Sequence, residues 1–168
     1  MNTRNVQIAG GPNAIADRLA AMVDAGIPAL DLLVNTDPLP DTGRIIARCQ
    51  AFADSVPDGG EALIVTLLHT ARTGADRLDM AVANGALWAF TRAAGLAWAP
   101  RRIRVNAIGL GADPAGPFEA QESAGRAAAA IPSAPSCLED IARTLRAMIG
   151  WGSMTGQIVR LGAFAAGE

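Results

Sequence analysis

The chain of 168 residues contains no lysine and no tyrosine, and all 14 of its basic residues are arginine. A phenol whose pKa is drawn toward working pH by a neighbouring ammonium is therefore unavailable as a proton donor in any register. Histidine occurs once, at His69, and no serine lies between Ser55 and Ser123. With no Gly-x-Ser-x-Gly elbow either, a serine–histidine triad cannot be assembled. The two cysteines, Cys49 and Cys137, fit no metal or redox spacing and read as free, buried thiols. No apolar run approaches the roughly 18 residues of a spanning helix. The opening MNTRNVQIAGG lacks an apolar core behind a basic region, so a cytoplasmic protein is expected. A formal charge of -2 supplies no broad cationic field for phosphate backbones or anionic lipid.

What the chain does contain is apolar residues, 51% of the total, against 18% charged. That is the composition of a globular protein, and the length suits one domain over residues 1–168. Asn5 to Ala9 reads as a strand ending in GGPN, and Ala14 to Ala25 as a helix stopped by Gly26. The run ALDLLVN, Ala29 to Asn35, reads as a buried strand closed by the turn-rich TDPLPDTG. Ile45 to Ser55 follows as a helix, then ALIVTLL as a second buried strand ending near His69. Leu78 to Ala99 is a long helix with Met80, Ala83, Leu87, Phe90, Ala94 and Ala97 along one face. Gly85 and Gly95 inside it each cost about 1 kcal/mol relative to alanine, which close backbone packing is expected to offset. A strand in IRVNAIGLG, a helix over Leu138 to Ile149 and a strand over Gln157 to Leu161 complete the alternation. Continuous apolar strands alternating with helices predict an open, right-handed, doubly wound parallel sheet with helices on both faces.

Four stretches, in order, resemble the short-chain dehydrogenase/reductase family. AGGPNAIA at Ala9 to Ala16 is similar to its Thr-Gly-x-x-x-Gly-Ile-Gly turn, and LDLLVN at Leu30 to Asn35 to its Asp-x-Leu-Val-Asn-Asn-Ala-Gly strand. DMAVANGALWAFTRAAGLAWAP with RRIRVNAIGLG resembles the Tyr-x-x-x-Lys helix and the Arg-Val-Asn strand after it. IPSAPSCLEDIARTLRAMI and SMTGQIVRLGA resemble the last helix and closing strand, with Thr155, Gly156 and Gln157 as the family has them. The resemblance implies a Rossmann-like sheet, here shortened to about five strands by loss of two from the adenosine-binding half. In an alternative alignment ALDLLVN is the family's second strand and Asp37 its ribose-binding acid. The LVN ending favours the fourth-strand assignment.

The same resemblance implies an NAD(P) cofactor, which stays possible, and carbonyl chemistry, whose catalytic residues are missing. Gly10 and Gly11 remain at the phosphate turn, but the later glycines fall at Ala14 and Ala16. The catalytic Tyr and Lys positions are Met80 and Asn84, the serine position falls near Leu68 or His69, and no asparagine lies between Asn35 and Asn84. A substitute chemistry would use His69 with Asp76 or Asp79 as general base, in a cleft with Gly10 and Asn35. In the family the long helix also packs on its copy in another subunit, which makes Trp88, Gly95 and Trp98 candidate interface residues. Trp88 and Trp98 covering the domain's own core is the competing reading. The resulting expectation is a pseudo-oxidoreductase with no working cofactor and no metal site. It would assemble as a homodimer or with an active family member; a ligand-binding protein or enzyme with a cleft remodelled around His69 is the alternative.

Overall fold

The structure, a computed structural model, describes residues 6–10, 19, 30–37, 41–69, 76–110 and 135–161. Five strands form its sheet: β1 (Val6–Ala9), β2 (Asp31–Asn35), β3 (Ala62–His69), β4 (Ile103–Leu110) and β5 (Ile158–Leu161). All pair in parallel, in the order β1-β2-β3-β4-β5. Alternate residues of each strand serve opposite faces. On β3, Leu63, Val65 and Leu67 enter one core while Ala62, Ile64 and Leu68 enter the other. Both faces are thus apolar, as a parallel sheet between helices requires.

Helix α1 (Thr42–Ser55) starts where the Asp41 carboxylate accepts the Arg44 backbone N–H at 3.0 Å. It buries Ile45, Cys49 and Phe52, spaced by four and three residues. Helix α2 (Asp76–Trp98) lies beside it on the same face, burying Met80, Leu87, Thr91 and Ala94. Ala97, expected on the buried stripe, is exposed. Helix α3 (Pro135–Gly150) packs Ile141, Ala142, Leu145 and Met148 against the opposite face, where helical Leu19 also lies. Its last carbonyls accept the Arg104 guanidinium from β4, at 2.6 Å for Met148 and 3.3 Å for Ile149, a cation where the helix dipole favours one.

The sheet is doubly wound, but not with a single hand. Strands β2 to β5 step one way across the sheet while α1 and α2 lie on one face and α3 on the other. The crossovers carrying α1 and α2 therefore share a hand, and the one carrying α3 has the opposite hand. Right-handed crossovers throughout would have put every helix on one face.

The two glycines inside α2 separate. A methyl added at Gly95 would stand 2.6 Å from the Gly156 nitrogen and 2.7 Å from its Cα, so the turn before β5 fits only against a bare backbone. Nothing lies within 4 Å of one added at Gly85, so nothing inside the domain offsets that residue's helix cost. Gly85→Ala should accordingly stabilise the fold by up to about 1 kcal/mol. Gly95→Ala should destabilise it by roughly 1–3 kcal/mol through overpacking. Urea denaturation of the two variants checks both signs.

Candidate functional site

The carboxyl end of β2 carries three consecutive buried polar residues, Asn35, Thr36 and Asp37. Burial of polar groups at a strand end is costly unless each finds partners, and α1 supplies them. Its N-cap at Asp41 fixes the first turn, which places Arg44 and Arg48, one turn apart, over the end of β2. Arg44 Nη2 donates to Asp37 Oδ1 at 2.7 Å and Arg48 Nη1 to Asp37 Oδ2 at 2.8 Å. Arg48 Nη1 also donates to Asn35 Oδ1 at 2.9 Å, while Asn35 Nδ2 donates to Thr66 Oγ1 at 3.3 Å and to Cys49 Sγ at 3.4 Å. The cluster joins β2, β3 and α1 through one carboxylate, two guanidiniums and one amide. Burial pushes the Cys49 thiol up to about 11, with the Asn35 hydrogen bond and the Arg48 charge acting the other way. At neutral pH Cys49 is therefore a protonated, unreactive thiol.

Thr36 closes the gap to β1. Its N–H donates to the Ala9 carbonyl at 2.7 Å and its hydroxyl to the same oxygen at 3.3 Å. Gly10 follows Ala9 with φ 154°, and a methyl there would stand 2.4 Å from Thr36 Oγ1 and 2.8 Å from the Asp37 nitrogen. The glycine at this position is thus demanded by the chain's own close approach. Gly10 and Asn35 are brought together, since Ala9 and Asn35 are register partners. Gly11, with Ala14 and Ala16, lies outside the described residues.

The other expected residues are more scattered. The His69 backbone ends β3 beside Leu110, three residues beyond the Thr66 that bonds Asn35; the His69 and Asp76 side chains lie outside the described part. Near the start of α2, Asp79 is exposed, Met80 buried and Asn84 half-buried. Asp37 lies at the end of a strand held between β1 and β3, and its carboxylate is held by two arginines rather than free to take a ribose hydroxyl. The three residues offered as interface candidates differ in their surroundings. Gly95 is buried under the chain's own Thr155–Gly156 turn, and Trp98 packs edge-on against Phe90, ring centroids 6.0 Å apart, at the rim of the core. Trp88 is half-buried, with the Arg92 guanidinium 5.8 Å from its ring centre.

The family-like residues near the C-terminus form a second polar set. Thr155 Oγ1 accepts the Val105 N–H at 3.0 Å, Asn106 Nδ2 donates to the Met154 carbonyl at 2.9 Å, and Asn106 Oδ1 accepts the Gln157 N–H at 3.0 Å. Together they dock the β5 turn onto β4. Sequence reasoning missed the arginine clamp, although the signal was present: two arginines at i and i+4 behind an N-cap, seven and eleven residues after an acid at a strand end.

An open parallel sheet with helices on both faces and polar residues at its carboxyl edge defines the class, a Rossmann-like α/β protein. Residues 44–144, more than half of the chain, match the family model described as enoyl-(acyl carrier protein) reductase. The chain belongs to the short-chain dehydrogenase/reductase family. None of the curated proteins matches it. Solved structures with the same fold include an alternative dihydrofolate reductase 1, FolM, from Brucella canis complexed with NADP, at 16% identity and TM-score 0.62 over 96% of this chain and 93% of that one. A short-chain dehydrogenase/reductase mutant from Serratia marcescens superposes with TM-score 0.64 at 15% identity, over 95% and 96% of the two chains. A small-chain dehydrogenase in complex with NADPH gives 0.61 at 17% identity, over 95% and 97%. The present chain is shortened relative to these structures.

Two measurements test the cluster. Asp37→Asn leaves the largely buried Arg48 without its counter-charge and should cost about 3 kcal/mol or more in urea unfolding. For Cys49 the folded pKa, about 11, exceeds the ordinary 9.0, so the unfolded chain loses its proton first. Stability should therefore fall as pH rises from about 9 to about 11, and this component should vanish in Cys49→Ala.

Proposed function

We propose that this chain is a non-catalytic member of its family, an assembly subunit that works without a cofactor and joins other chains through α2. The solvent side of α2 carries the proposal. Leu78, Val82 and Leu96 are 72%, 65% and 80% exposed, and Ala86, Ala89 and Ala93 lie exposed between them. Among the described α2 side chains the exposed charges are Asp79 and Arg92. A surface helix normally turns a polar face to water, as α1 does with Arg44, Gln50 and Asp54. An apolar stripe of this length marks a contact surface.

The stripe is self-complementary. Leu78 and Leu96 are separated by about five full turns of 3.6 residues and so lie on one line along the helix. Gly85 and Ala89, between them, form a narrow waist. In an antiparallel pair about a two-fold axis, Leu78 of each copy meets Leu96 of the other and the waists approach closely. The missing chemistry supports the same reading, because Met80 and Asn84 offer no proton donor near neutral pH where the family places tyrosine and lysine.

In analytical ultracentrifugation the unaltered chain should sediment as a dimer. Leu96→Arg should weaken association roughly tenfold or more, about 1.4 kcal/mol, with the thermal melt of the monomer little changed. A chain that is monomeric at high concentration, or a dimer indifferent to Leu96→Arg and Val82→Asp alike, would remove the proposal. A second reading, a ligand cleft, draws on the place of His69 at the carboxyl end of a central strand, where ligands of open sheets bind. Ligand capture lost in His69→Ala would favour it.

A further inference from the structure

We infer that the shortening of this chain removed dinucleotide binding itself, and not the chemistry alone; the inference extends the non-catalytic reading from reaction to recognition. A nicotinamide dinucleotide lies across two mononucleotide-binding halves that meet where the strand order reverses. Among the described residues the order runs β1-β2-β3-β4-β5 without reversal, and β1 is the terminal strand. Among the described residues no strand lies beyond β1 to build the half that would receive adenosine. Exposure agrees: Val6 and Gln7 are exposed and Ile8 and Ala9 half-buried, whereas Leu32 to Asn35 on neighbouring β2 are fully buried.

The mouth that remains between β1 and β2 is filled from within. The bare side of Gly10, which a phosphate would need in order to approach the backbone, already faces Thr36 and Asp37 at 2.4–2.8 Å from a methyl position. The Ala9 carbonyl accepts two hydrogen bonds from Thr36. Nearby guanidiniums that could meet a pyrophosphate, those of Arg44 and Arg48, hold the Asp37 carboxylate instead. An incoming phosphate would compete for these guanidiniums with the Asp37 carboxylate, 5% exposed, whose pair with the largely buried Arg48 is costly to break; Arg44, 61% exposed, is held less firmly. The described residues at this mouth therefore do not fit the cofactor that the family implies.

The test uses the full chain, checked as folded by circular dichroism, with NADPH, NADH and ADP-ribose as probes. Equilibrium dialysis should show no saturable uptake of any of the three up to about 1 mM, the concentration of a marginal site. Energy transfer from tryptophan to the dihydronicotinamide ring should likewise be absent. Saturable one-to-one binding of NADPH or NADH would overturn the inference. So would binding of ADP-ribose, since it would reveal an adenosine seat. Native mass spectrometry separates this inference from the assembly proposal: a dimer carrying a dinucleotide defeats the inference and leaves the assembly, while a monomer free of dinucleotide does the reverse.

Discussion

The parallel ladder between β3 and β4, eight residues deep from Ala62–Ile103 to His69–Leu110, is the constraint on which the rest of the domain hangs. It is the longest pairing of the sheet and buried on both faces, so its register fixes which side chains enter which core. Leu63 and Ile108 go to the α3 side, and Ile64 and Val105 to the side of α1 and α2. A slip of one residue would exchange the two sets and bring Asn106 round to the face of α2. Its hydrogen bonds to Met154 and Gln157, which hold β5, would be lost with it. Edge elements are thus fixed by side chains that the central ladder orients.

The same ladder explains how a sheet of five described strands keeps a core on each face. With β1 as the terminal described strand, one edge of the sheet is short and the pair of cores around β2, β3 and β4 is whole. The cost falls on β1, which among the described strands has a neighbour on one side and is partly exposed. It is retained by backbone pairing to β2, by Ile8 at the margin of the α3-side core and by Thr36 over the Ala9 carbonyl. An edge so held needs Gly10, because any side chain there would push Thr36 away.

Much of this was legible in the sequence. Five strands and three helices were readable from apolar runs and helical spacing, since a buried parallel strand is continuous in apolar residues, although the start of α1 was read three residues late, past its Asp41 cap. Less legible was anything set by long-range approach. Gly85 and Gly95 are the same residue in the same helix, and only the distant Thr155–Gly156 turn makes one indispensable. The opposite hand of the α3 crossover was hidden too, because a sequence states the order of elements but not the face each helix takes. For Trp98 both an interface and the domain's own core stood open, because helical spacing places a residue on a face without saying what meets it; within the domain Phe90 meets it. The Asp37 clamp went unseen because the strand end was read for what a ligand would want from it, and its arginines belong to the next helix.

The residues that match the family and the residues that depart from it divide along a physical line. Gly10, Asn35, Asn106, Thr155 and Gly156 are present, and each makes a contact within the domain: a close backbone approach, a hydrogen bond to a neighbouring strand, or the turn that docks β5. Most positions that differ, Met80 and Asn84 for the tyrosine and lysine and Ala14 for the second glycine, are those whose family roles point outward, to a substrate, a cofactor or a phosphate; Ala16, where the third glycine would allow close helix–strand packing, is the exception. Loss of an inward residue removes stability that a domain of this size, with a net of about 5–15 kcal/mol, cannot readily replace. Loss of an outward one costs the fold almost nothing. A sequence held to folding and surface contact, and released from chemistry, would keep the first set and let the second drift. Such a sequence would also keep the apolar outer stripe of α2, which contributes nothing to this domain's own core and is unfavourable in water unless another chain covers it.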